Sequence, residues 1–370
     1  MDLLLRVLDE ESRQTDAEGR WPSRSLKALA ESGLLGLTVP EQTCGDGAGM
    51  RKFAEVTEQI AAHCASTAMI YVMHVCGAQT IAASPSPKRD DLVRNIAAGR
   101  ALATLAFSEK GSRSHFWAPV SRATGNGAGV VLNCDKSFVT SAGHADYYVV
   151  SSLAVDAKGP TDSTLYLIEK DSTGLDCSKH WDGIGLRGNA SGPISIRNCH
   201  VHADALLTPE GGGFKAMMEV VLPWFQIGIA AVSIGIAQSS FDSTVAHAAK
   251  ARLEHMNESL ASALPGIRAR IAQMKIAIDS ARAYLDQTLS RLENGALDTM
   301  LFVLGAKAGA AEMALRVTDD AMRVCGGAAF SRDLSVERHF RDARAASIMA
   351  PTTDVLYDFM GKALTGLPLF

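Results

Sequence analysis

The stretch Cys325–Asp354, CGGAAFSRDLSVERHFRDARAASIMAPTTD, decides how the rest of the chain reads. It opens on two glycines, Gly326 and Gly327, where the missing Cβ lets a backbone turn sharply or approach a neighbour closely. A charged run follows, with Glu337, Arg338, Arg341, Asp342 and Arg344 close together. Glu337 and Arg341 stand one helical turn apart, a favourable pairing that by itself describes a solvated helix face. The stretch closes on Ala350-Pro351-Thr352-Thr353. Glycine turn, charged amphipathic helix and threonine-bearing turn, in that order, carry more information than any of the three alone.

Working outward, helical texture runs from about Phe214 to the end, with helices over roughly 214–252, 265–293, 298–325 and 336–349 and Pro265 at a first helical position. Upstream, ALATLAF, GVVLNCDKSFVT, ADYYVVSSLAV, STLYLIEK and GPISIRNCHV are short, rich in Val, Ile, Tyr and Thr, and separated by turn residues. That is strand texture. The first hundred or so residues read as helices again. TAMIYVMHVCGAQTIAA among them is apolar nearly all round, as an interior helix is. Helical, then β, then helical, without βαβ alternation, excludes a doubly wound sheet. The expected domains are 1–101, 102–208 and 209–370.

The chain has 370 residues, 47% apolar and 21% charged, with a formal net charge of −4. This is an ordinary globular composition without the basic excess of a nucleic-acid binder. Seven cysteines are scattered without a C-x-x-C pair, which predicts free thiols in a reducing cytoplasm and no metal site. Leu3–Leu5 is followed too soon by Asp9, Glu10 and Glu11 to form a signal sequence. The apolar run from Val220 to Ala237 reaches the lower length limit of a membrane span but lacks flanking positive charge, so a buried core helix is expected and no span.

With the opening stretch, the order of motifs along the chain resembles the acyl-CoA dehydrogenase family. VERHFRDA matches the segment that follows that family's Gly-Gly turn, and Ala350-Pro351-Thr352 stands where the family has Glu-Gly-Thr. The resemblance implies an α+β multidomain fold: an N-terminal helical domain, a middle β-barrel and a C-terminal four-helix bundle. It also implies FAD as cofactor. Phe107-Ser108-Glu109-Lys110-Gly111-Ser112-Arg113-Ser114 takes the place of T-E-P-G-x-G-S and puts Leu105, Phe107, Ser108 and Ser114 on the flavin. Lys136-Ser137-Phe138-Val139-Thr140 looks like the strand whose aromatic packs on the isoalloxazine and whose threonine bonds near N5, here Phe138 and Thr140. Otherwise an aromatic and a threonine are simply good strand residues. Gly185-Leu186-Arg187-Gly188 resembles a turn closing the barrel, with Arg187 equally suited to a structural ion pair. Arg252 matches an arginine that reaches the cofactor of a neighbouring subunit, although Leu253-Glu254-His255-Met256 replaces the usual Phe-Gly. The C-terminal contacts implied are Gly326, Gly327, Thr352 and Asp354.

Family dehydrogenases remove the α-proton of an acyl thioester with a glutamate, which has to lie within hydrogen-bond reach of that carbon. Counting from VERHFRDA places that residue at Ala350; the family's alternative position falls at Phe225. Neither is a carboxylate, so the catalytic residue is left unassigned, with Asp354, His74, His115 and Glu109 as substitutes. Three functions stay open. One is a dehydrogenase acting on a thioester of coenzyme A or a carrier protein, working with an electron acceptor. The others are a flavin-dependent monooxygenase of the same fold, and a silent flavin- or acyl-binding subunit paired with an active homologue. With the dehydrogenase reading the resemblance implies a homo-oligomer, dimer or tetramer, that shares the cofactor between subunits. Met69, Val72, Met73 and His74 share an apolar helix that packs as core unless it lines a substrate cavity.

Overall fold

The computed structural model describes residues 1–125, 127 and 129–368. The helices of the N-terminal region are α1 (Asp2–Glu18), α2 (Ser23–Glu31), α3 (Met50–His63), α4 (Ala65–Ala82) and α5 (Arg89–Ala97). The strands that follow are β1 (Ala103–Ala106), β2 (Thr124–Gly125), β3 (Gly129–Val139), β4 (Tyr147–Leu153), β5 (Ser163–Glu169), β6 (Leu175–Asp176) and β7 (Gly192–His202). Next come α6 (Gly213–Ala216), a π-helical turn Met217–Val221, α7 (Leu222–Lys250), and a small hairpin of β8 (Arg252–Leu253) and β9 (Glu258–Ser259). The chain ends with α8 (Leu260–Ala263), α9 (Pro265–Asn294), α10 (Thr299–Cys325), α11 (Val336–Ile348) and α12 (Thr353–Thr365). The apolar helix Gly213–Lys250 is long enough to cross a membrane, but 89% of its most apolar window is buried in the protein, as the core-helix expectation requires.

Contacts divide the chain into two compact units. The first holds residues 1–53, 66–183 and 187–225. Within it, α2 lacks a capping side chain of its own and borrows one: buried Glu11 of α1 accepts from the Arg24 and Ser25 amides and the Ser25 hydroxyl. That satisfies donors a helix start leaves open. The expected barrel takes the form of two sheets around one core. One runs β1-β4-β5, with β1 parallel to β4; the other runs β2-β3-β7-β6 and is antiparallel. Leu132, Cys134, Ile194 and Ile196 from the second sheet meet Tyr148, Val150, Tyr166 and Ile168 from the first. Burial along β3 alternates, as a half-buried strand should, until the pairing with β7 slips between Lys136 and Val139.

The second unit holds residues 54–65, 184–186 and 226–370. Helix α10 is its hub, packed by α9, α11 and α12. Gly235 lets α7 lie against α3, since a Cβ there would stand 2.4 Å from the Glu58 carbonyl. Arg282 of α9 clamps the same junction, at 2.7 Å from the Glu58 carboxylate and 3.2 Å from Gln238. Gly326 ends α10 at φ 58° and ψ −136°, a conformation open to glycine. The turn that the sequence predicts at Thr352 is the start of a further helix, α12, with Thr352 as its cap residue.

Candidate functional site

In the first unit the loop after β1 is pinned to β3 by a buried ion pair. Lys136 Nζ lies 2.6 Å from Glu109 Oε1 and also donates to the Ser151 carbonyl at 2.5 Å. The other Glu109 oxygen accepts the Val120 and Ser121 amides at 2.6 and 2.8 Å. The Ser137 amide donates to the Ser108 carbonyl at 2.8 Å, so Ser108 sits beside the strand that carries Phe138. Leu105 and Phe107 are buried, the latter stacked on Phe116, while Ser114 is buried and Ser108 half-buried.

The slip in β3 turns Phe138 outward. Its φ is 54° and the residue is 70% exposed, with the Trp181 ring set edge-on to it at 6.4 Å between centroids. A large aromatic held out at a bulge, in a left-handed conformation, is a functional-site signature rather than good strand packing. Two residues on, Thr140 is buried. Its hydroxyl shares a 2.9 Å hydrogen bond with Ser191, and its carbonyl accepts from Thr104 at 2.6 Å. An exposed ring beside buried and half-buried hydroxyls suits a ligand with a flat heteroaromatic and polar edges, so the residues present fit a flavin.

Replacing Phe138 by Ala should therefore move stability by less than about 0.5 kcal/mol, because little packing is lost. It should weaken flavin binding by about 1 kcal/mol, roughly five-fold in Kd, the worth of an aromatic contact. Flavin fluorescence titration of the apoprotein, beside a urea melt, checks both.

The C-terminal candidates lie in the second unit. Gly326 and Gly327 are exposed, and a Cβ at either would meet nothing within 4 Å. Thr352 is the cap residue of α12, half-buried, and Asp354 lies exposed in its first turn. Arg252 is exposed and closed on its own hairpin, donating to the carbonyl and side chain of Asn257 at 2.6 and 2.5 Å.

Arg187 takes the structural role. In the first unit it donates to the Asp16 and Gly183 carbonyls and pairs with Asp182. Met69, Val72, Met73 and His74 are all buried. His74 spans from the Leu35 carbonyl, 2.9 Å from Nε2, to the Ala103 amide, which donates to Nδ1 at 3.1 Å; burial pushes its pKa down to about 4. It is a neutral structural histidine. Glu109 is spent on Lys136 and the 120–121 backbone. Two of the four substitute bases are thereby removed. His115 is exposed beside Trp117, and Ala350 is half-buried.

Three residues went unnoticed in the sequence. Ser191 partners Thr140; Trp181 flanks Phe138. Lys307, wholly buried in α10, donates to the Met349 and Pro351 carbonyls on either side of Ala350. The signal was there in the third case: a single lysine within Gly305-Ala306-Lys307-Ala308-Gly309-Ala310, a stretch too small-sided to face water for long.

Three family models match in register. The N-terminal domain of acyl-CoA dehydrogenase covers residues 2–99, the middle domain 104–199 and the C-terminal domain 211–365. Cyclohex-1-ene-1-carbonyl-CoA dehydrogenase of Geobacter metallireducens is 28% identical over 98% of this chain and 95% of its own length. The short-chain specific acyl-CoA dehydrogenase of human mitochondria is 28% identical over 92% of this chain and 82% of its own. Among solved structures, butyryl-CoA dehydrogenase from Megasphaera elsdenii superposes with a TM-score of 0.91 at 25% identity, covering 98% of this chain and 97% of that one.

Proposed function

The chain belongs to the acyl-CoA dehydrogenase family, and from that premise we infer an FAD-dependent oxidoreductase acting on an acyl thioester, on coenzyme A or a carrier protein, without the family's glutamate base. The observation that carries the cofactor side of this reading is Phe138, exposed at the bulge of β3 two residues before a buried threonine. Bound FAD supplies the two-electron acceptor for a hydride leaving the acyl β-carbon. Phe138 offers it a ring face, and Thr140, backed by Ser191, a hydroxyl edge. Ser108 and Ser114 supply further hydroxyls, and Leu105 and Phe107 apolar surface. Gly326 and Gly327 offer bare backbone, Thr352 and Asp354 the start of α12, and Arg252 a cation for a cofactor held by a second copy in a homo-oligomer.

The proton side is where this chain departs from its family. Alanine at 350 and phenylalanine at 225 accept no proton, and His74 and Glu109 are committed elsewhere. Asp354, one helical turn past Ala350 and exposed, is the carboxylate left on that turn.

Anaerobic titration of the holoprotein with a panel of acyl-CoAs, followed in the visible spectrum, tests the reading. Bleaching of the flavin band by one of them is the expected result. Bound flavin that no acyl thioester bleaches would reject it. Oxygen uptake on adding a flavin reductant and substrate would then point to the monooxygenase, and no turnover of any kind to the silent subunit.

A further inference from the structure

We propose that Lys307 positions the turn carrying residue 350, so that the chain keeps a formed seat for a proton-accepting side chain although alanine occupies it. The inference rests on the flavin-dependent reading above.

Lys307 is fully buried in α10, the hub of its unit. Its Nζ donates to the Met349 carbonyl at 2.7 Å and to the Pro351 carbonyl, so the two bonds straddle residue 350. The preceding helix ends there too: the Met349 amide is the last to bond back into α11, and Thr352 already caps α12. The turn between two helices is thus referenced to a third, rigid one through a single nitrogen. Taking an ammonium out of water is costly, and a methionine, one atom shorter, would fill most of the same space without that cost. Burial pushes the lysine down to about 7 from an ordinary 10.5, in keeping with that cost. Space-filling does not account for such a group. Holding two carbonyls that flank one residue does.

If the seat is formed, Ala350→Glu is enough to occupy it. The introduced carboxylate then takes the α-proton of an acyl thioester. The β-hydrogen leaves with its electron pair to the oxidised flavin, leaving a 2-enoyl thioester and reduced flavin. With butyryl-, octanoyl- and palmitoyl-CoA as probes, Ala350→Glu should raise the limiting rate of anaerobic bleaching by about 100-fold or more over the parent chain for at least one of them. Adding Lys307→Met should cut that limiting rate by about ten-fold or more, because a slightly misplaced base loses most of its advantage. The half-saturating concentration should stay within about two-fold at equal flavin content, since binding is untouched. Equal limiting rates with and without Lys307 would overturn the proposal.

A second readout needs no substrate. In the holoprotein with native Ala350, Lys307→Met should speed amide hydrogen exchange across 349–353 by about ten-fold, as a locally released turn does. Unchanged protection there would overturn the positioning role. Faster exchange together with an Ala350→Glu protein that no thioester bleaches would uphold Lys307 and reject the acyl-thioester reading instead. Should Lys307→Met not fold, Lys307→Gln, whose shorter stem does not reach both carbonyls, carries the same expectations.

Discussion

Lys136→Met should lower the free energy of unfolding by about 3–5 kcal/mol, the usual consequence of removing one partner of a buried ion pair. Both side chains are essentially out of water, at 0% and 4% exposure, so solvent does not take the place of the missing charge. What remains is a carboxylate held among the amides of Val120 and Ser121 and the Ser121 hydroxyl, with no countercharge. The double variant Lys136→Met with Glu109→Gln should recover much of the loss, because no ion is then left stranded. Urea denaturation of the three proteins checks the ranking.

The same pair sets an acid limit. Burial on its own would raise the Glu109 carboxyl, but the charge of Lys136 and the hydrogen bonds from Lys136 and Ser121 outweigh it and hold the group below its ordinary value. A carboxyl lowered in the folded state adds stability that is fully present above the unfolded value, about 4.3, and is lost as pH falls through the lower folded one. In Lys136→Met that lowering goes, so acid unfolding followed by circular dichroism should begin at higher pH than in the parent.

Asp342→Ala should cost about 3 kcal/mol, since it takes a charged, buried acceptor away from a buried amide. The buried Asp342 carboxylate accepts the Leu186 amide at 2.6 Å. One residue earlier on α11, Arg341 donates to the Ile184 carbonyl at 2.9 Å, and a Cβ on Gly185 would stand 2.6 Å from the Arg341 carbonyl. Residues 184–186 are therefore bolted to α11 backbone to backbone, with Leu186 at φ 49°. Asp342→Asn keeps an acceptor oxygen and should lose less than half as much. Urea melts, with hydrogen exchange at the Leu186 amide, distinguish the two variants.

That role explains why VERHFRDA was so legible. Glu337 and Arg341 read as a solvated charged face, but Arg341 and the buried Asp342 both fasten a distant turn, which ties their identity to the fold. The helix–strand–helix order was equally open, because strand texture between Ala103 and His202 differs from the small-residue texture of α10. Side-chain placement was less so. Alternation along β3 predicts a face for every residue, and the slip between Lys136 and Val139 breaks that rule where Phe138 sits. Nothing in a period of two announces a bulge. Helix α12 was hidden for a different reason: Pro351 and two threonines read as a turn, and a turn is also how a helix begins. His74 packs as core, as its apolar helix face reads; that both its nitrogens are engaged, which removes it as a substitute base, shows only in the structure.

Phe138 also records a trade between robustness and use. A residue other than glycine at φ 54° costs on the order of 1 kcal/mol, and an exposed ring returns almost none of it through packing. Selection for a durable fold alone would have settled on glycine or asparagine there. Phe138→Gly is therefore among the substitutions a stabilisation campaign would favour, and, given the flavin contact proposed for that ring, it would give a hardier protein with a poorer hold on FAD. Ranking variants of this chain by melting temperature would discard that proposed contact first.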